Sequence, residues 1–236
     1  MKVVIIYGNG RKGSTYNCVQ IIKRTIGQYE DVKFEEIWLP KDFPELCCGC
    51  FNCILKGELF CPHSEYVYPI VNSIIEADGI IMASPAYGLD VSGAMKTLID
   101  HLCFMWMPHR PHNEVFSKIG FVVSTAAGSG MKRTNKTMKL ALNYMGFKRV
   151  YDFGSAVAAS RWEDVKGSKK LIIEKKLIKK SHKYYQSLVD RKKLKSRLST
   201  RLTFIVMRKM ISGYQDGNID KEYWKSMGWF DNIKPV

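Results

Sequence analysis

Four closely spaced cysteines are the residues of this sequence with the clearest capacity for chemistry. They are Cys47, Cys50, Cys53 and Cys61, and Pro62 follows the last of them. Four thiolates at this spacing can hold a [4Fe–4S] cluster, and proline after the last ligand also occurs in such sites. Tetrahedral zinc is the alternative metal, although structural zinc usually has two pairs of ligands separated by a longer spacer. Reduced thiols without a metal are a third interpretation.

A glycine-rich segment, residues 8–17 (GNGRKGSTYN), is the second candidate site, and it follows a short apolar run. Glycines allow backbone N–H groups to turn toward an anion, and the N-terminus of a following helix adds a partial positive charge. The hydroxyls of Ser14 and Thr15 supply further donors. The segment therefore predicts a phosphate site, with an ordinary strand-to-helix turn as the alternative. Its spacing matches neither G-x-x-x-x-G-K-[ST] nor G-x-G-x-x-G, which argues against nucleoside triphosphatases and dinucleotide-binding folds.

The elements that must position these residues alternate between apolar runs and amphipathic segments. Strands are predicted over residues 3–7, 32–38, 79–83, 118–124 and 149–154. Helical spacing predicts a helix after the glycine-rich segment, capped by Ser14 or Thr15, and further helices over residues 67–76, 91–106 and 134–145. Such alternation predicts an α/β fold with a doubly wound, five-stranded parallel sheet. The flavodoxin-like strand order 2-1-3-4-5 is the leading choice.

Positive charge is concentrated toward the C-terminus. The net charge is +15, and residues 161–209 contain 17 Lys and Arg against 4 Asp and Glu. We predict a flavodoxin-like domain over residues 1–160, with a cysteine-rich insertion at 47–63, and a basic helical extension over residues 161–236 that packs on it. A solvated helical face is the favoured interpretation of the charge, and nucleic acid is not expected as a partner. The alternative is a binding module that attaches through its basic helix to nucleic acid or to a membrane surface.

The N-terminal residues, the lengths of the apolar runs and the clustered cysteines indicate where the protein is located. Residues 1–7 form an apolar strand beside glycines, without the charged segment and cleavage site of a secretory signal. No apolar run approaches the roughly 18 residues that a membrane span needs. Clustered cysteines in such a chain favour metal or redox chemistry over disulfides. We therefore expect a cytoplasmic protein without a transmembrane segment.

Three predicted loops together resemble the flavin site of the NADPH-dependent FMN reductases. Residues 8–17 are similar to that family's phosphate loop, and residues 84–88 (SPAYG) to the Ser-Pro-x-Tyr loop that lies along the flavin ring. Residues 124–130 (STAAGSG) are similar to the loop beside the pyrimidine edge of the flavin. The resemblance implies FMN contacts from Asn9, Arg11, Ser14, Thr15, Tyr16, Asn17, Pro85, Ala86, Tyr87, Gly88, Thr125, Ala126, Ala127 and Gly128.

The cysteine spacing is also similar to that of the iron-sulfur flavoproteins, relatives of this family with a cluster in the same insertion. Together the resemblances imply an FMN-dependent NAD(P)H oxidoreductase that reduces a quinone, a nitro compound, a metal ion or a protein. The alternative is a [4Fe–4S]/FMN flavoprotein that exchanges electrons with an external carrier. No residue is assigned as catalytic, because hydride transfer to flavin needs no protein acid or base at the reacting carbon. Similar proteins are homodimers or higher oligomers, which is the expectation here.

Overall fold

Five parallel strands form the centre of the computed structural model, which describes residues 1–29, 31–231 and 235–236. The strands are β1 (Lys2–Tyr7), β2 (Lys33–Trp38), β3 (Gly79–Ala83), β4 (Ile119–Ala126) and β5 (Arg149–Ala156). They are hydrogen-bonded in the order β2-β1-β3-β4-β5, and every neighbouring pair is parallel. The predicted α/β fold and its strand order are therefore confirmed.

Helices connect and flank these strands. The α-helices of the described residues are α1 (Ser14–Ile26), α2 (Asn52–Leu55), α3 (Ser64–Glu76), α4 (Gly93–His101), α5 (Met131–Met145), α6 (Gly167–Val189), α7 (Leu198–Ser212) and α8 (Ile219–Ser226). Short 3-10 segments lie at Glu58–Phe60, Leu102–Met105 and Asn113–Ser117. None of the described helices is long and apolar enough to cross a membrane.

The sheet is covered by helices on both faces, which explains the continuous apolar sequence of its central strands. Successive side chains of a strand point to opposite faces. Val3 and Ile5 of β1 pack in the layer that contains α1 and α6. Val4 and Ile6 pack in the opposite layer, with α3, α4 and α5. Because the strands are parallel and packed between these two layers, their carboxyl ends lie side by side along one edge of the sheet.

The C-terminal segments contribute to both layers. On the α1 side, α6 buries four hydrophobic side chains: Ile173, Leu177, Tyr184 and Leu188. On the opposite side, α7, α8 and the residues that follow bury Phe204, Trp224 and Trp229 against the core. Burial of large aromatic rings contributes strongly to stability. The basic segment is therefore tied to the sheet by an apolar inner surface, and its lysines lie mostly on the outside.

Several helix starts differ from the sequence prediction: α4 begins at Gly93 instead of residue 91, and α5 at Met131 instead of residue 134. Neither Ser14 nor Thr15 caps α1, because the N-cap position is taken by Gly13 and both hydroxyls lie within the first turn. Helix α3 begins at Ser64, three residues earlier than predicted, so Pro69 lies inside the helix instead of in its first turn. The predicted start at residue 67 followed the apolar spacing and would have placed Pro69 in the first turn, where its missing N–H is tolerated.

Candidate functional site

A cavity of about 310 Å³ lies at the carboxyl ends of the strands. Open parallel sheets bind ligands at this edge, at the point where the strand order reverses. In this sheet the reversal falls between β1 and β3. Ten of the predicted FMN-binding residues line the cavity: Asn9, Arg11, Ser14, Thr15, Pro85, Ala86, Tyr87, Thr125, Ala126 and Ala127.

Four predicted residues are not part of the lining: Tyr16, Asn17, Gly88 and Gly128. The Tyr16 ring packs against the rings of Tyr7 and Trp38, with 5.7 Å between centroids in each pair. The Asn17 side-chain amide donates to the Gly13 carbonyl at 2.9 Å. Both side chains are thus engaged within the protein, and their assignment as FMN contacts stays a prediction.

The loop after β5 also reaches the cavity, although none of its residues was predicted to belong to the site. Val157, Ala159 and Ser160 line the cavity together with Gly13. The strand was predicted to end at residue 154, but it continues to Ala156 and carries the following loop to the same edge. The position of this loop at the cavity could have been predicted, because every strand of a parallel sheet delivers its following loop to this edge.

The N-terminus of α1 faces the cavity and is free to bind an anion. Ser14 and Thr15 are the first two residues of the helix, and both line the cavity. Gly13 offers no capping side chain, and the first turn contains no acidic residue. The first N–H groups of a helix lack intrahelical acceptors, and the helix dipole adds partial positive charge there. This end of the cavity therefore fits a phosphate group.

Arg11 adds a full positive charge at the phosphate end. Its side chain lines the cavity and donates from Nη2 to the Ser160 carbonyl, which ties the first loop to the loop after β5. A guanidinium carries five N–H donors. The donors not used by Ser160 can therefore pair with phosphate oxygens, for which arginine has the matching geometry.

Hydrogen bonds between side chains connect the three predicted loops. The hydroxyls of Thr15 and Thr125 lie 2.7 Å apart, which joins the first loop to the third. The Asn9 amide nitrogen donates to the Tyr87 hydroxyl at 3.1 Å, which joins the first loop to the second. Tyr87 is 52% exposed, so an aromatic side chain stands at the mouth of the cavity. The arrangement fits a flavin whose phosphate lies at α1 and whose ring lies beside Tyr87 and Thr125.

Gly8 is a position where the first loop approaches α4 too closely for a side chain. The Ser92 hydroxyl donates to the Gly8 carbonyl at 2.5 Å, and a Cβ at position 8 would lie 2.7 Å from that hydroxyl oxygen. We expect Gly8→Ala to lower the free energy of unfolding by about 1–3 kcal/mol, because both groups are buried. Urea denaturation measures the change. Gly10→Ala is the matched control, since its Cβ would meet no atom within 4 Å; equal losses in the two variants would contradict this packing.

The four candidate ligand cysteines lie between β2 and α3, on residues 44–63, here named the cysteine segment. Cys47 and Cys50 are exposed, whereas Cys53 and Cys61 are partly buried. Burial raises the pKa of the Cys61 thiol, and the neighbouring thiols Cys53, Cys50 and Cys47 raise it further. Of these four cysteines, Cys61 alone belongs to a group of three or more possible metal-ligand atoms within 4.8 Å of one another among the described residues. The assignment of all four as ligands of an iron-sulfur cluster or of zinc therefore stays a prediction.

Arg110, which is only 4% exposed, holds the cysteine segment in place. Its guanidinium donates to the carbonyls of Cys53 and Ile54. It also pairs with Glu58 at 3.1 Å and with Asp220 of α8. The conformation of the cysteine segment therefore depends on a residue near the end of the chain, and sequence spacing gives no indication of that contact.

Cys103 lies beside the candidate ligands, although the sequence favoured an ordinary core position on a long helix. Helix α4 ends at His101, and Cys103 falls in the 3-10 segment Leu102–Met105 that follows. The neighbouring Cys53 thiol raises the pKa of the Cys103 thiol, and burial raises it further.

A histidine pair also adjoins the cysteine segment. Cys61, His63 and His101 place their donor atoms within 4.8 Å of one another. His63 Nδ1 lies 3.0 Å from His101 Nε2, and His101 Nδ1 lies 2.8 Å from the Thr97 carbonyl. Helix α4 brings His101 here from another part of the chain. The pair lies against a candidate metal ligand and belongs to the surroundings of that site.

Cys53 is expected to be the most acidic thiol of the metal-free protein. The neighbouring Cys103 thiol lowers the pKa of Cys53 to about 6, with a further contribution from the Arg110 guanidinium. Cys53 should therefore be alkylated by iodoacetamide at a rate that rises through pH 6 and is nearly constant at pH 7. Mass spectrometry of the alkylated peptides measures the rate at each pH. Burial raises the pKa of Cys18 to about 12, so Cys18 should stay unmodified until the protein unfolds.

Cys103→Ala is the variant that tests the cause of this acidity. Without the thiol donor, the midpoint for Cys53 alkylation should move up toward the ordinary cysteine value of about 8.5. An unchanged midpoint would show that Cys103 does not stabilise the Cys53 thiolate.

The chain resembles known proteins in sequence. The sequence profile of the NADPH-dependent FMN reductases matches residues 1–162. An iron-sulfur flavoprotein of Archaeoglobus fulgidus is 30% identical over 132 residues, which cover 55% of this chain and 56% of that protein. An iron-sulfur flavoprotein of Methanocaldococcus jannaschii is 34% identical over 128 residues, which cover 54% of this chain and 63% of that protein. The chain thus spans between half and two thirds of these two relatives.

Solved structures share the architecture at low sequence identity. An NAD(P)H:quinone oxidoreductase from Methanothermobacter marburgensis has a TM-score of 0.60 at 15% identity, covering 77% of this chain and 95% of that one. An FMN-dependent NADH-azoreductase from Bacillus anthracis has a TM-score of 0.57 at 10% identity, covering 78% and 99%. These two likenesses support the fold alone. The family profile spans more than half of the 236 residues and includes all three predicted loops, so the chain belongs to the NADPH-dependent FMN reductase family.

Proposed function

We propose that this protein is an NAD(P)H-dependent oxidoreductase that binds FMN in the cavity at the carboxyl edge of the sheet. The observation that carries the proposal is the uncapped N-terminus of α1, which faces the cavity beside Arg11. Bound FMN would supply the redox chemistry, by accepting hydride from NAD(P)H and passing electrons onward. The protein binds and orients: residues 8–17 hold the phosphate, and the segments around Tyr87 and Thr125 hold the ring.

The electron acceptor is proposed to be a quinone, a nitro compound, a metal ion or a protein. Tyr87 and Leu89 are 52% and 59% exposed, so the ring end of the cavity is open to a second substrate. One structure with this fold is named an NAD(P)H:quinone oxidoreductase, which supports a small-molecule acceptor.

Titration of flavin-free protein with FMN tests the binding step. We expect saturable quenching of flavin fluorescence at about one FMN per chain, as one phosphate site implies. Anaerobic addition of NADH or NADPH should then bleach the bound flavin. Protein that takes up no FMN would refute the proposal. Bound FMN that neither nucleotide reduces would refute the proposed electron donor but not the flavin site.

A [4Fe–4S]/FMN electron-transfer flavoprotein is the second candidate function. It is supported by the sequence spacing of Cys47, Cys50, Cys53 and Cys61 and by two relatives that are named iron-sulfur flavoproteins. In this version a cluster at these cysteines would carry single electrons between the flavin and an external carrier. Protein purified without oxygen should contain about four iron and four sulfide per chain. Zinc without sulfide, or no metal at all, would exclude this version.

We further propose a homodimer or higher oligomer in the cytoplasm. Large apolar side chains are exposed along the cysteine segment, which supports contact with a second copy: Leu46, Phe51, Leu55, Leu59 and Phe60. Cys47, Cys50 and the other cysteines are free thiols and form no disulfide bonds, which is typical of proteins in a reducing compartment. Residues 1–160 are proposed as the FMN-binding domain and residues 161–236 as its extension.

A further inference from the structure

The outward side of α7 carries apolar side chains that are open to solvent. Leu198, Leu202, Val206 and Met210 recur every four residues and are 69%, 53%, 58% and 40% exposed. Ile205 is 51% exposed between them. Side chains three and four residues apart lie on one face of a helix. These five residues therefore form a continuous apolar strip, here named the α7 stripe.

The inner side of α7 packs against the hydrophobic core. Phe204 and Ile211 are at most 1% exposed and belong to the main apolar cluster. The Phe204 ring packs against Trp224 and Trp229, with centroids 4.9 and 5.5 Å apart. The α7 stripe thus has no packing role among the residues that the structure describes, and a contact outside the chain would account for it.

Positive charge surrounds the α7 stripe. Residues 191–209 contain eight Lys and Arg and no Asp or Glu. Arg191 pairs with Asp78 at 2.5 Å, and Arg197 is directed inward to the Asn143 side chain. The other basic side chains have no acidic partner within residues 1–29, 31–231 and 235–236: Lys192, Lys193, Lys195, Arg201, Arg208 and Lys209. The surface around the stripe is therefore complementary to a dense array of negative charges.

We propose that the α7 stripe docks this protein on the surface of an anionic lipid bilayer. A helix with one apolar face and basic flanks lies in the plane of a membrane interface, with the apolar side chains at the boundary of headgroups and acyl chains. Lysine and arginine beside the helix are attracted by anionic headgroups. Leu198 to Met210 supply the apolar contact, and residues 192–195 with Arg201, Arg208 and Lys209 supply the charge. The α7 stripe shares no residue with the FMN cavity, so the inference is independent of the proposed function.

A second copy of the chain is the other occupant that an exposed apolar helix face allows. Pairing of two copies through the stripe would bring together two surfaces that each carry Arg201, Arg208 and Lys209. Helix α7 contains no acidic residue that could neutralise this contact. Like charges across an interface oppose association, whereas anionic headgroups complement them. The charge pattern therefore favours the bilayer.

Sedimentation of the full chain with lipid vesicles tests the docking. We expect binding to vesicles that contain phosphatidylglycerol, binding at least about tenfold weaker to pure phosphatidylcholine, and weakening by salt. The double variant L202Q/V206Q should bind at least about tenfold more weakly than the wild type. The matched control is L171Q/I172Q, because Leu171 and Ile172 are 68% and 50% exposed on α6, and it should bind like the wild type. Circular dichroism verifies that each variant is folded.

Three results would overturn the proposal. The first is wild-type protein that stays in the supernatant with every vesicle composition. The second is L202Q/V206Q protein that sediments as well as the wild type. The third is a lower oligomeric state of L202Q/V206Q in light scattering, because the stripe would then belong to a second copy. FMN uptake by the same variants is measured separately, so failure of the flavin proposal would leave the docking result interpretable.

Discussion

Ser14→Asp should lower the affinity for FMN by at least about a hundredfold while the fold stays intact. Position 14 is the first residue of α1 and lines the cavity. The substitution removes a hydroxyl donor and places a carboxylate where the flavin phosphate is proposed to bind. Two like charges about 4 Å apart repel by about 4 kcal/mol near a protein surface, which exceeds the hundredfold loss that we expect. Isothermal titration calorimetry measures the affinity.

Riboflavin provides the matched control for this prediction, because it has the same ring system without the phosphate. We expect riboflavin to bind equally to the wild type and to Ser14→Asp. An acidic residue in the first turn favours a helix, so thermal unfolding of the variant should not occur at a lower temperature. An equal loss of affinity for both flavins would contradict a phosphate position at the N-terminus of α1.

Arg110→Ala should lower the free energy of unfolding by about 3–5 kcal/mol, the typical cost of removing one partner from a buried ion pair. The substitution leaves the Asp220 carboxylate, which is 5% exposed, in contact with the His109 ring nitrogen at 2.9 Å but without the guanidinium that neutralises it. It also leaves the carbonyls of Cys53 and Ile54 without the donors that hold them. Urea denaturation measures the stability, and limited proteolysis should show faster cleavage within residues 44–63.

Arg24→Ala is the control for Arg110→Ala, since Arg24 forms an ion pair with Glu174 but is 62% exposed. Exposed pairs contribute about 0–1 kcal/mol, so this variant should unfold close to the wild type and keep the cysteine segment protected. A similar small loss in both variants would show that the buried network around Arg110 does not stabilise the segment.

The strand order was predictable because each central strand is buried on both faces and so has an unmixed apolar sequence. Runs such as VVIIY in β1 and GIIMA in β3 leave few alternatives to a parallel sheet between two helical layers. The ends of elements were less predictable. Helix α4 ends at His101 where the pattern continued to residue 106, because the apolar spacing persists through the 3-10 segment that follows.

The candidate FMN site was predictable to the extent that each loop is continuous in sequence. Residues 8–17, 84–88 and 124–130 follow predicted strands, and the structure places ten of their predicted residues around one cavity. Ser160 and Val157 carry no recognisable pattern, so their place in the lining depended on where β5 ends.

The amino-acid order alone determined the fold, the glycine-rich first loop at the end of β1 and the presence of four clustered thiols, because each depends on residues that are close along the chain. Contacts between distant segments were decided only by the tertiary structure. Packing brings Arg110 and Asp220 to the cysteine segment, places Cys103 beside Cys53, and turns one face of α7 inward while the other stays exposed. Such pairings arise from how the helical layers fit against the sheet, which local spacing does not encode.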